Sequence, residues 1–269
     1  KGIGVLRYDD RGTAKSTGDH ATATSEDLAS DVQSAVAFLK SREDVDRDNI
    51  GLVGHSEGGL IAPMVASESG DIAFIVLLAG PGIPGFDILM LQSELIRRSS
   101  GVSGPELQKE MDLTRGALEL VRDTENMEDL KGALNRYLTA ALQESPEQVP
   151  QGMTLEDVVT TQVDALSSPW MQYFMKYDPA PALQRVQCPV LALNGENDLQ
   201  VPAGVNLQAI EKHLKAGGNP DVTVKELKGL NHLFQHSATG SPSEYAAIEE
   251  TFAPEALEEI AAWISARIK

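Results

Sequence analysis

Apolar residues recur along this chain in two forms. Some are short runs closed by Gly, Pro or Asp; others are longer stretches with apolar positions three and four residues apart. Residues 3–8, with Ile3, Val5 and Leu6, read as a strand that ends in the turn Asp9-Asp10-Arg11-Gly12. From about Ser25 the positions Leu28, Val32, Ala35, Val36 and Leu39 fall on one face of a helix. Residues 49–55 form a short run with an apolar centre (Ile50, Leu52, Val53), the pattern of a parallel strand covered on both faces. A helix is expected over 58–67. A second buried strand is expected over 72–79, ended by Gly80-Pro81-Gly82.

The rhythm then changes. Residues 85–183 carry amphipathic helical segments, clearest over 88–98, 105–122 and 127–142, and no convincing strand. Alternation resumes with a strand over 190–194, a helix over 203–215, a strand over 222–227 and a final helix over 254–268, with Pro254 in its first turn. Strands separated by helices predict a mostly parallel sheet flanked by helices, an α/β fold. The expected organisation is a core made of residues 1–84 and 184–269, with residues 85–183 inserted as a helical cap.

Composition changes this picture little. The chain has 269 residues, enough for one such domain with an insertion. No apolar run reaches the roughly 18 residues of a membrane span. A net charge of −18 repels polyanions, so nucleic acid is not an expected partner. Cys188 is the one cysteine, which excludes an internal disulfide and leaves the compartment open; it reads as a buried structural thiol. No His/Cys grouping has metal-ligand spacing, and no cofactor is expected.

The candidate chemistry lies at strand ends. Gly54-His55-Ser56-Glu57-Gly58 matches G-x-S-x-G between an apolar strand and a helix start rich in small residues. A strand that turns sharply into a helix holds the serine at the apex, and glycines leave room beside the turn. The amide of Glu57 is then placed to donate to a developing oxyanion. A serine hydroxyl needs a base, and the base needs a group that fixes its tautomer. The strand over 190–194 runs into Asn194-Gly195-Glu196-Asn197-Asp198, where Asp198 is the expected acid and Glu196 its rival. The last strand leads to Gly229-Leu230-Asn231-His232, where His232 is the expected base and His236 its competitor. His20, His55 and His213 fall on an early loop, beside the serine and on a helix.

These stretches, with Arg7-Tyr8-Asp9-Asp10-Arg11-Gly12 and Val201-Pro202, make the chain resemble bacterial α/β-hydrolases of the esterase and acyl-peptidase type. The resemblance implies the α/β-hydrolase fold, a Ser56–Asp198–His232 triad and hydrolysis of short-chain carboxylic esters. It also implies further strands ahead of residues 3–8, and a loop there that supplies the second oxyanion amide. Those strands are missing from this sequence. About five core strands are therefore expected, with a gap in the sheet beside the serine strand, as for a fragment of a longer chain. Position 14, often glycine in relatives, is Ala14.

The most aromatic stretch, 168–177, lies just before the acid strand. Trp170, Tyr173 and Phe174 are expected to line the substrate pocket or to pack the cap onto the core. Met90, Leu91 and Leu95 are expected to serve packing. The expected function is a serine carboxylesterase acting on a small-molecule ester through an acyl-enzyme. A short-peptide serine peptidase and a catalytically silent binding protein of the same fold are the alternatives. Oligomeric state and localisation are left open.

Overall fold

The computed structural model describes residues 2–268. Its frame is a four-stranded sheet, all parallel, in the order β1 (Gly51–His55), β2 (Phe74–Leu78), β3 (Val190–Gly195), β4 (Val222–Leu227). Each β connection passes through helices, as parallel pairing requires. Helix α1 (Ser25–Ser41) precedes β1, and α2 (Glu57–Ala66) joins β1 to β2. Helix α9 (Ala203–Ala216) joins β3 to β4, and α10 (Pro254–Ser265) closes the chain.

Local chemistry explains the boundaries. Thr24 and Asp27 form a reciprocal capping box at the start of α1, where the Thr24 amide donates to Asp27 Oδ2 (2.9 Å). Pro254 occupies the first turn of α10, where its missing N–H costs no hydrogen bond. The central strands β2 and β3 are buried along their whole length, which suits the apolar runs over Phe74–Leu78 and over 190–193; the buried Asn194 that follows donates to the Val201 carbonyl.

Two apolar layers sandwich the sheet. On one face Ile75, Leu77, Val190 and Ala192 meet Val65, Ile210 and Leu214 from α2 and α9. On the other, Val76, Leu191 and Leu193 meet Leu230, Phe234 and Trp263.

Between β2 and β3 the chain is helical, as the sequence pattern predicts. The segments are α3 (Gly85–Ser99), α4 (Gly104–Asp123), α5 (Met127–Glu144), α6 (Leu155–Leu166), α7 (Pro169–Lys176) and α8 (Ala180–Arg185). They have an apolar centre of their own, with Val121, Leu130, Leu134 and Val159 fully or almost fully buried; Met90 belongs to it.

The predicted strand over residues 3–8 does not form. Those residues pair with no strand, and Val5, Leu6 and Tyr8 are exposed. Among the described residues the sheet therefore has four strands where about five were expected. The physical reason is visible at β1, a sheet edge on which Val53 is 55% exposed. An apolar run becomes a strand only when a neighbouring ladder takes up its amides and carbonyls, and among the described residues none lies alongside residues 3–8. The following loop is fixed instead by Arg11, whose guanidinium grips Asp27 and Asp31 of α1.

Candidate active site

Ser56 stands between β1 and α2 with φ 54° and ψ −117°, a backbone conformation strained for any residue with a Cβ. Its surroundings hold it there. The Ser56 amide donates to the Leu78 carbonyl (2.8 Å), and the Gly59 amide donates to the Ser56 carbonyl (2.8 Å). A Cβ on Gly54 would fall on the carbonyl of Gly58, so only glycine lets the chain double back this tightly. The amide of Glu57 belongs to the first turn of α2, where amides have no acceptor within the helix and the helix dipole is positive.

Asp198 and His232 come from the loops after β3 and β4. Both are buried, at 2% and 5% exposure. His232 Nδ1 and Asp198 Oδ2 are 2.8 Å apart. Asp198 Oδ1 accepts from the amides of Gln200 and Val201, each at 2.8 Å. The carboxylate thus has three hydrogen bonds, which fix its orientation. With Oδ2 accepting, Nδ1 carries the proton and Nε2 is the basic nitrogen.

The two loops are tied to each other. A Cβ on Gly195 would overlap the Leu230 carbonyl, so the backbones meet closely only because residue 195 is glycine. Within the second loop, Asn231 Oδ1 accepts from the amides of Leu233 and Gln235 (both 3.0 Å), and Phe234 takes a positive φ of 58°.

The rivals fall elsewhere. The Glu196 carboxylate accepts from the Gly229 amide (2.9 Å) and serves as a loop brace. His236 is exposed and faces Glu250 and Glu255, both at 2.9 Å, which raise its pKa.

Two contacts have no counterpart in the sequence pattern. His55 Nε2 lies 2.8 Å from the His232 carbonyl, and the two rings are 4.8 Å apart. The carbonyl can only accept, so His55 donates through Nε2. His55 as a whole is exposed, but desolvation of the part of its ring that packs against His232 and Phe234 pushes its pKa down. The second contact is the Glu57 side chain, whose Oε1 accepts from the Ser25 hydroxyl (2.6 Å) and from the Trp170 indole (2.7 Å). His55 and Glu57 flank the serine, and adjacency to a motif was the one signal that could have drawn attention to them.

The aromatic stretch divides. Trp170 stacks on Phe174 (5.0 Å between rings, 12° between planes) within an apolar cluster that includes Leu60 of α2 and Val201 of the Asp198 loop. Tyr173 stacks on Tyr177 instead (5.7 Å, 25°) and lines a cavity of about 410 Å³ between α1, α2 and α8. A second cavity, of about 420 Å³, opens beside His55 and is walled by Leu233, Gln235 and Phe252. Ser56 lines neither of these two cavities. Among the described residues its hydroxyl forms no hydrogen bond with His232. No group of three or more His, Cys, Asp or Glu among those residues is placed to hold a metal ion.

The model of the alpha/beta hydrolase family matches residues 1–248 of this chain. The chain belongs to that family. Hydrolysis is accordingly the class of chemistry that the family supports. Among solved structures, the chain is similar to the alpha/beta hydrolase GrgF from Penicillium sp. sh18, with a TM-score of 0.55 and 15% identity over 96% of this chain and 77% of that one. It is similar to DcsB, solved with its substrate analogue, with a TM-score of 0.51 and 18% identity over 97% and 80%. An esterase from Pyrococcus furiosus gives a TM-score of 0.47 and 15% identity, over 81% of this chain and 58% of that one. At these identities the likeness to GrgF and DcsB is one of fold. No curated protein sequence matches the chain.

Proposed function

We propose that this alpha/beta hydrolase cleaves carboxylic esters by two-step acyl transfer at Ser56. His232 removes the Ser56 proton through Nε2 while the serine oxygen attacks the ester carbonyl. The tetrahedral oxyanion takes a hydrogen bond from the Glu57 amide. His232 then returns its proton to the leaving alcohol, which leaves an acyl-serine. Water, deprotonated by His232, releases the acid and restores the hydroxyl. Asp198 stays ionised throughout and holds the imidazole in one tautomer.

The observation that carries this reading is the buried His232–Asp198 hydrogen bond, on loops at the same sheet end as the strained Ser56 turn. A serine hydroxyl and a charge-oriented imidazole at one sheet end are the parts that acyl transfer requires. In this reading residues 85–183 act as a cap over the site. Trp170 and Phe174 form an apolar wall for the acyl or alkyl group.

Labelling and mutation test the proposal together. A fluorophosphonate should modify Ser56. Ser56→Ala should lower hydrolysis of nitrophenyl esters by about 10³-fold or more. Turnover of esters should exceed that of aminoacyl anilides, which separates an esterase from a peptidase. A Ser56→Ala enzyme with full activity would end the proposal.

A further inference from the structure

The Glu57 carboxylate joins three parts of the molecule that are far apart in sequence. It sits on the first residue of α2, directly after Ser56. Its Oε1 accepts from Ser25, a fully buried residue at the start of α1, and from the indole of Trp170 on α7. Both are short hydrogen bonds to one acceptor oxygen, at 2.6 and 2.7 Å. Trp170 has one polar atom, and Glu57 takes it. The indole is therefore held in one orientation, with its ring stacked on Phe174 and packed in the cluster that contains Leu60 and Val201. Leu60 lies one helical turn beyond Ser56, and the Val201 amide bonds to Asp198. The aromatic pair thus rests between the helix that follows the serine and the loop that carries the acid.

Other contacts secure α7 away from the serine turn. Gln172 Nε2 donates to the Thr124 carbonyl (3.3 Å), and the Gly85 amide donates to the Tyr177 carbonyl (3.1 Å). The indole–carboxylate bond adds a directional tie from α7 to the turn itself, beside the apolar packing around Leu60.

We propose that the Glu57 side chain is a positioning residue: it fastens Trp170, and with it helix α7, to the serine turn, and so shapes the apolar wall that receives the substrate. This rests on the ester-hydrolase reading of the site. The role belongs to an acceptor oxygen and not to a charge, because both donors meet the same atom, Oε1. A glutamine carries a carbonyl oxygen at that position, whereas an alanine does not.

The test reads Trp170 directly. In a Trp263→Phe background Trp170 is the sole indole of the chain. Glu57→Ala should shift its emission to longer wavelength as the ring loosens into water, and Glu57→Gln should keep the parent emission. On nitrophenyl esters Glu57→Ala should raise KM by about 10-fold, with a smaller change in kcat, and Glu57→Gln should recover most of that binding. Trp170→Phe, which keeps a ring but has no N–H, should also raise KM, and combining it with Glu57→Ala should add little further loss. Equal behaviour of the alanine and glutamine variants would overturn the proposal, as would additive losses or an unmoved emission in Glu57→Ala. If Glu57→Ala does not fold, Glu57→Leu, which fills the space and has no acceptor oxygen, takes its place in each comparison. The emission arm needs no turnover, so it stands apart from any failure of the Ser56 chemistry.

Discussion

His55, the last residue of β1, and His236, in the loop after β4, have pKa values shifted in opposite directions. His55 is pushed below its ordinary value of 6.5 by desolvation where its ring meets His232 and Phe234, while His236 is raised by the Glu250 and Glu255 carboxylates. A depressed histidine contributes stability that is present in full above about pH 6.5 and lost as pH falls through the lowered value, because the unfolded chain binds the proton more readily. A raised histidine does the reverse: its contribution is present below about pH 6.5 and lost as pH climbs through the raised value. Urea midpoints measured from pH 5 to 8 should therefore separate the two. His55→Phe should flatten the loss on the acid side, and His236→Gln the loss on the alkaline side. The serine, aspartate and histidine of the candidate site were legible from the sequence because each follows a strand end with a glycine nearby. The His55 contact was not. It joins residues 177 apart in the chain, and no local pattern encodes a bond to a backbone carbonyl.

At the scale of elements, strand-to-helix turns decide what the site can be. Position 54 has no space for a methyl group because the Gly58 carbonyl occupies it. Gly54→Ala should cost about 1–3 kcal/mol of stability, the usual range for an overpacked site, and should abolish turnover by opening the turn. Chemical denaturation and ester assays check the two parts separately. The buried strands and long helices were predictable because apolar runs and helical periodicity persist over many residues. Helices α6, α7 and α8 were not resolved one by one in the sequence; α7 and α8, at 8 and 6 residues, offer too few turns for a period to emerge. The run over residues 3–8 failed for another reason. Its apolar pattern was sound, but a strand is a property of a pair, and the partner ladder is not something the run itself can supply.

For the molecule as a whole, charge is the dominant long-range quantity. A net charge of −18 repels itself in the folded state more than in the expanded one. Raising salt from about 10 mM to about 150 mM shortens the screening length from about 30 Å to about 8 Å, and the melting temperature should rise with it. A melting temperature that falls across this range would show that local ion pairs, such as Arg11 with Asp31, outweigh the overall repulsion.

The join between β2 and β3 carries a further consequence. These two strands lie side by side, with Ile75 in register with Val190, yet α3 to α8 stand between them in the chain. During synthesis at about 5–20 residues per second, the exposed flank of β2 waits on the order of 5–20 s before β3 leaves the ribosome. The helical block has its own apolar centre and is made during that wait. It can fold while the sheet is still half built, shielding β2 from rival chains until its neighbour emerges.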